Sequence, residues 1–179
     1  MNKRLSRRGF LGALGAGTVG TLGYMRWCES DWLQVGRNHV SIDPALPQVR
    51  ILHLSDFHAS RVVSLKQIQE AIELGLSLKP DLVCLTGDYI TRKYDYFDKF
   101  SHLLKRLSQA APSFACLGNH DGGRWSAGRG YADTSNVEGM LNNAGITLLR
   151  NDAVALSVNH RRLQLVGVGD VWAKDLDAR

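Results

Sequence analysis

Three short apolar runs along the chain each end abruptly at side chains suited to metal or proton chemistry. Ile51-Leu52-His53-Leu54 precedes Ser55-Asp56-Phe57-His58, Leu82-Val83-Cys84-Leu85 precedes Thr86-Gly87-Asp88, and Phe114-Ala115-Cys116-Leu117 precedes Gly118-Asn119-His120-Asp121. Apolar runs without polar alternation are the pattern of strands buried in a parallel sheet, predicted here at 49–54, 82–86 and 114–117. Between the first two, Leu65, Ile68, Ala71, Ile72, Gly75 and Leu76 mark one face of a helix over 64–78 that Pro80 ends. Between the second and third, Tyr96, Phe97, Phe100, Leu103, Leu104 and Leu107 do the same before Pro112. The order βαβαβ predicts an α/β fold with a parallel sheet covered on both faces. A further helix is predicted from Ser135, with Glu138 completing a capping box and Gly145 as its stop. Ile146–Leu149 is a fourth strand, and Ala153–Val158 and Arg162–Val168, separated by Asn159-His160-Arg161, form a β-hairpin. After Gly169-Asp170-Val171-Trp172 no apolar run follows, so the chain is expected to stop in mid-fold.

The N-terminal segment follows another pattern. Ser6-Arg7-Arg8-Gly9-Phe10-Leu11 opens an uncharged run to Met25, kept weakly apolar by Gly9, Gly12, Gly15, Gly17, Gly20 and Gly23. It resembles a twin-arginine export signal, which implies passage through the twin-arginine translocase to the periplasm or the outer face of the cytoplasmic membrane. The alternative is a plain transmembrane helix, for which the run is marginal: about 25 Å as a helix against a hydrocarbon core of roughly 30 Å. No clear small-x-small cleavage site stands next to Arg26, so the segment is expected either as a signal or as an anchor that stays attached. Met25-Arg26-Trp27 argues against lipidation of Cys28. The expected organisation is a signal or anchor at 1–28, a linker at 29–48 containing Pro44 and Pro47, and one domain at 49–179.

Charge sharpens this division. Of the formal +5, residues 1–30 hold +4, from Lys3, Arg4, Arg7, Arg8 and Arg26 against Glu29. The remainder is nearly neutral and no nucleic-acid partner is expected. Cys28, Cys84 and Cys116 form no C-x-x-C pair, so they are expected to be buried free thiols rather than zinc ligands.

An Asp after a strand is often a helix cap, and a Gly-Asp is often a turn. Three such blocks at the carboxyl ends of successive parallel strands converge on one place, where open α/β sheets bind ligands. The D-x-H, G-D and G-N-H-D blocks, Asp56 to His58, Gly87-Asp88 and Gly118 to Asp121, resemble the calcineurin-like metallophosphoesterase superfamily. The resemblance covers about 49–170 and, joined to the leader, is similar to the exported bacterial branch. It implies a four-layer α/β/β/α sandwich, of which this chain is the N-terminal portion, with the hairpin starting the second sheet. It implies hydrolysis of a phosphodiester or pyrophosphate bond, lipid-linked and nucleotide-linked substrates among them, by a hydroxide bridging two divalent metal ions. Asp56 and His58 would hold the first metal, Asp88 would bridge both, and Asn119 would bind the second. His120 would serve as proton donor or transition-state stabiliser, with Asp121 orienting its ring. Mixed oxygen and nitrogen ligands suit Mn, Fe or Zn.

The chain departs from that family in one respect. Members carry a later G-H-x-H block and a further histidine, whereas only His160 follows His120 here. The alternative expectation is therefore a truncated, non-catalytic fragment that binds at most one metal or phosphate. Of the remaining candidates, His53 is expected to be a packed core histidine and His160 a surface residue at the hairpin turn. Arg124 and Trp125 either touch substrate or belong to a solvated loop.

Overall fold

The computed structural model of the protein describes residues 6–27, 33–41, 47–123, 126, 128 and 130–177. The chain divides into two compact units, 1–38 and 39–179. The first contains helix α1 (Arg7–Trp27), whose first turn is capped by Ser6 Oγ accepting from the Gly9 amide at 3.1 Å. Thr18 and Thr21 turn their hydroxyls onto the Leu14 and Gly17 carbonyls, both at 2.9 Å, so these two hydroxyls are satisfied within the helix. Phe10, Leu11, Leu14, Val19 and Leu22 are exposed. Among the described residues no helix is long and apolar enough to cross a membrane. Cys28 and most of the expected linker's proline-bearing part lie outside the described residues.

The second unit is built on four parallel strands in sequential order: β1 (Ile51–Leu54), β2 (Leu82–Thr86), β3 (Ser113–Cys116) and β4 (Thr147–Leu148). Helices α2 (Leu65–Ser77), α3 (Phe97–Ala110) and α4 (Ser135–Asn143) connect them. A strand order that never reverses, joined by right-handed crossovers, places all the connecting helices on one side of the sheet. The side chains agree: Gly75 of α2 rests on Leu52, Arg106 of α3 reaches Glu73 of α2 at 2.7 Å, and Ser101 of α3 donates to the Met140 carbonyl of α4 at 2.9 Å. Cover of both faces by these helices is therefore not what the chain builds. The expected α/β class stands, a parallel sheet flanked by helices, and β5 (Asp152–Val158) pairs antiparallel with β6 (Arg161–Gly167) as a separate two-stranded sheet.

Between the helices and the sheet lies one apolar core. Val83, Leu85 and Ala115 come from the strands, and Ile68, Ile72, Phe100, Leu104, Leu107, Val137, Met140 and Leu141 from the helices. Each large side chain buried there contributes about 1.5–3 kcal/mol relative to exposure. Among the described residues β1 lies at the edge of the sheet and is not the core strand its composition predicts. Ile51 is 54% exposed, and His53 is exposed instead of packed, its Nε2 2.7 Å from Thr86 Oγ1. Sequence composition does not distinguish an edge strand whose helix-free face is open from a central one.

The helix ends give one correction and one addition. Ser135 does not cap α4: the N-cap is Thr134, and the Ser135 amide and hydroxyl both donate to Asp133 Oδ1. The reciprocal capping box belongs to α2, between Ser64 and Gln67. Gly145, at φ +70°, ends α4 as expected; its amide bonds the Asn142 carbonyl and that of Ile146 bonds Leu141, the paired geometry that only a left-handed residue permits. The hairpin turns through Asn159 and His160, both at positive φ, which matches the twist of the flanking strands and leaves His160 exposed as predicted.

Candidate metal centre

Beyond the sheet, the loops after β1, β2 and β3 continue side by side. The amides of Asp56, His58 and Ala59 donate to the carbonyls of Gly87, Asp88 and Tyr89 at 3.1, 2.9 and 2.9 Å. Holding this alignment while turning polar side chains to one place requires unusual backbone: Asp56, His58 and Asp88 sit at φ +54°, +47° and +55°. Non-glycine residues in that region carry a cost of order 1–3 kcal/mol each and persist where the surroundings enforce them, commonly at functional sites.

The result is a tight cluster. One ligand atom each from His58, Asp88 and His120 lies within 4.8 Å of the others. His58 Nε2 is 3.7 Å from Asp56 Oδ1 and 3.6 Å from Asp88 Oδ2, and the His58 and His120 rings meet edge to face at 4.8 Å. Asp56 is the exposed member and its other oxygen accepts from Ser55 Oγ. Among the described residues no Lys or Arg pairs with Asp56 or Asp88, and His58 Nδ1 is buried without a partner. Two carboxylates sharing one imidazole leave negative charge uncompensated, and an orphaned buried nitrogen is costly. This donor set of imidazole nitrogens and carboxylate oxygens fits a divalent cation of borderline hardness.

Asp121 holds the cluster from below. It is fully buried, and its carboxylate accepts from the amides of Asp88 (2.8 Å), Tyr89 (2.7 Å), Ile90 (3.4 Å) and Gly118 (2.8 Å), stapling the loop after β2 to the loop after β3. Burial pushes its carboxyl up to about 7, against the pull of the Gly118 and Tyr89 amides. The Asp121 carboxylate thus serves backbone amides, whereas the resemblance implies that it orients the His120 ring. Ring Nδ1 of His120 lies 2.9 Å from the Thr91 carbonyl, which only accepts, so Nδ1 carries the proton of that bond. The His120 amide donates to Asp88 Oδ1 at 3.0 Å.

Both glycines of the blocks are there because backbones touch. A Cβ on Gly87, itself at φ +81°, would stand 2.3 Å from the Gly118 amide nitrogen, and one on Gly118 would stand 2.2 Å from Asp88 Oδ1. The structure therefore gathers Asp56, His58, Asp88 and His120, with Asn119 between Gly118 and His120 on the same loop and Asp121 beneath it. Arg124 and Trp125 lie outside the described residues. Sequence reasoning missed Thr91, which acts through a carbonyl that no side-chain pattern reveals. It also missed Ser55, one residue before a ligand candidate, where adjacency was the available signal. Cys84 and Cys116 are free and half-buried on neighbouring strands.

A parallel sheet that ends in this cluster of carboxylates and imidazoles has the architecture of a metallophosphoesterase, and the sequence profile of the calcineurin-like phosphoesterases matches residues 49–175; the chain belongs to that family. Phosphodiesterase YaeI of Escherichia coli (strain K12) is 41% identical to it over 177 residues, covering 94% of this chain and 62% of YaeI. YkuE of Bacillus subtilis (strain 168), an uncharacterized metallophosphoesterase, is 28% identical over 98% of this chain and 63% of its own length. The UDP-2,3-diacylglucosamine pyrophosphatase LpxG of Chlamydia trachomatis is 27% identical over 73% of this chain and 51% of its own. The chain thus spans about three-fifths of the length of the first two relatives.

Proposed function

We propose that the protein hydrolyses phosphoesters with the help of divalent cations held at the ends of β1, β2 and β3. The observation that carries this is the convergence of His58, Asp88 and His120, with Asp56 alongside, in a chain of metallophosphoesterase sequence. Asp56 and His58 would hold one cation, Asn119 a second, and Asp88 both. Mn, Fe and Zn all suit these ligands. The cations supply Lewis acidity toward a phosphoryl oxygen and toward water at neutral pH. His120, with Nδ1 engaged by Thr91, would exchange a proton with the leaving oxygen through Nε2. Asp121 fixes the spacing of the two loops that bear Asp88 and His120. The substrate class is a phosphodiester or a pyrophosphate, lipid-linked forms included, a reading supported by the names of YaeI and LpxG.

The test is Mn-dependent release of nitrophenol from bis-p-nitrophenyl phosphate by the full chain and its Asp88→Asn variant. Turnover that requires Mn and Asp88 supports hydrolysis. A second reading is favoured by the ligand count, since the His58, Asp88 and His120 donors clustered among the described residues are few for two cations: the 179 residues bind a cation with little turnover by themselves. Mn binding lost in Asp88→Asn without turnover supports that reading, and Mn-independent behaviour of both proteins contradicts both.

We further propose that Arg7 and Arg8, at the start of α1, route the protein through the twin-arginine translocase to the outer side of the cytoplasmic membrane. The exposed apolar side chains of α1 support a segment handed to a membrane or a receptor. Arg7→Lys with Arg8→Lys keeps the charge and is expected to abolish export; export of the double variant at the parent's level would refute the route.

A further inference from the structure

The loop bearing His120 is backed by a polar network that the metal chemistry does not use. Gly122, one residue after Asp121, lies at φ +150° against the next turn: a Cβ there would stand 2.1 Å from the Asp133 carbonyl oxygen and 2.8 Å from Thr134 Cα. Thr134 Oγ1 bonds Glu138 Oε1. Arg150, just past β4, reaches both, with Nη1 3.0 Å from Glu138 Oε1 and 3.4 Å from Thr134 Oγ1. Its other edge forms a two-bond fork with Asp175, Nε to Oδ2 at 2.7 Å and Nη2 to Oδ1 at 2.8 Å, and the Asp175 bond raises the guanidinium's pKa.

Asp175 is itself fixed. Its carbonyl accepts from Asn151 Nδ2 at 2.7 Å, while Asn151 Oδ1 accepts from the amides of Gly169 and Asp177 at 2.8 and 3.0 Å. Gly169 sits so close that a Cβ on it would stand 2.2 Å from the Asp175 carbonyl oxygen. The segment 169–175, the Thr134 turn and the loop 118–123 enclose a cavity of about 190 Å³ lined by Gly118, Gly122, Thr134, Arg150, Lys174 and Asp175 among others. Among the described residues, Arg150 is the single side chain that bonds both the Thr134–Glu138 pair and Asp175 across it.

We infer that Arg150 is a positioning residue for the His120 loop. By clamping the Thr134 turn to the 169–175 segment, it fixes the surface on which Gly122 rests and hence the placement of Asn119 and His120 over Asp88. A planar fork with two bonds on one carboxylate and one on another is a task lysine cannot reproduce, since an ammonium offers a point charge without the fixed geometry. Groups that orient ligands from behind typically change metal affinity by 10- to 100-fold when removed.

The inference rests on the cation reading above, and the test separates the two. In the full chain, Arg150→Ala and Arg150→Lys are compared with the parent by Mn titration at a temperature where each is fully folded, and by hydrogen exchange of the 118–123 amides without metal. Weakening of Mn binding by about 10-fold or more in both variants, with exchange faster at 118–123 than in α2, is the expected result. Parent-like Mn affinity in the folded variants, or exchange raised equally in α2 and at 118–123, would reduce Arg150 to a general stabiliser and overturn the inference. Should the parent itself bind no Mn, the cation reading fails, and the metal-free exchange pattern still decides whether Arg150 positions the loop. If Arg150→Ala does not fold, Asp175→Asn, which weakens the same fork from the other side, is expected to show the same localised exchange, and unchanged exchange there would overturn the inference.

Discussion

Adding one methyl group at Gly118 should disable the metal centre while leaving the fold in place. A Cβ on Gly118 would stand 2.2 Å from Asp88 Oδ1, 2.6 Å from the Asp88 amide nitrogen and 2.9 Å from Asp88 Cγ. Rotating the carboxylate relieves the first and last contacts but not the second, because the amide is backbone and is held by Asp121 at 2.8 Å. Restoring ordinary separation therefore needs a shift of the order of 1 Å between the loop after β2 and the loop after β3. Misplacement on that scale can cost about 100-fold in catalysis, and disturbed ligand placement about 10- to 100-fold in metal affinity. Isothermal titration of Gly118→Ala with Mn, alongside the parent, reads the effect directly. Circular dichroism checks that the helices remain, since Gly118 lies outside every one of them. Parent-like Mn affinity in the folded variant would refute the reasoning, because it would mean that Asp88 can move by an ångström without consequence and is not a tightly placed ligand.

Other expectations concern the scaffold. Leu104→Ala, at a fully buried position of α3, should lower unfolding free energy by about 2–5 kcal/mol in urea denaturation, and a loss under 1 kcal/mol would contradict the packing described. Burial raises the pKa of both Cys84 and Cys116 above the ordinary 9.0, so in a Cys28→Ser background the native protein should react slowly with Ellman's reagent at pH 8. The rate should climb as the pH passes 9, because only the thiolate attacks, and both thiols should react at once in denaturant. Rapid reaction of the native protein at pH 7 would show the sheet open where it is described as half-buried.

The alternation of strands and helices was legible because apolar periodicity reports burial directly, and the three strand-end blocks stood out because each joined a buried run to ligating side chains. Strand order was not legible. Nothing in Ile51-Leu52-His53-Leu54 distinguishes an edge from a centre, so the pattern places His53 in the core, although it bonds Thr86 in the open. The resemblance implies that Asp121 orients the His120 ring, whereas the fold brings the Thr91 carbonyl to that ring and sets the Asp121 carboxylate on four amides. Backbone donors and acceptors are common to all residues, and only tertiary structure selects among them. The capping of α4 failed for a related reason. Ser135 and Thr134 are both competent caps, and Asp133 captured Ser135 by its own side chain. The close approaches at Gly87 and Gly118 were present in the blocks as letters, but their reason is a distance between two loops 31 residues apart in sequence.

Anomalous diffraction from crystals grown with Mn reads out whether the ends of β1, β2 and β3 hold a divalent cation. A cation site there predicts a Mn peak about 2.0–2.3 Å from His58 and Asp88 ligand atoms, absent from crystals of Asp88→Asn. A peak elsewhere on the molecule, or none at the cluster under saturating Mn, would contradict it.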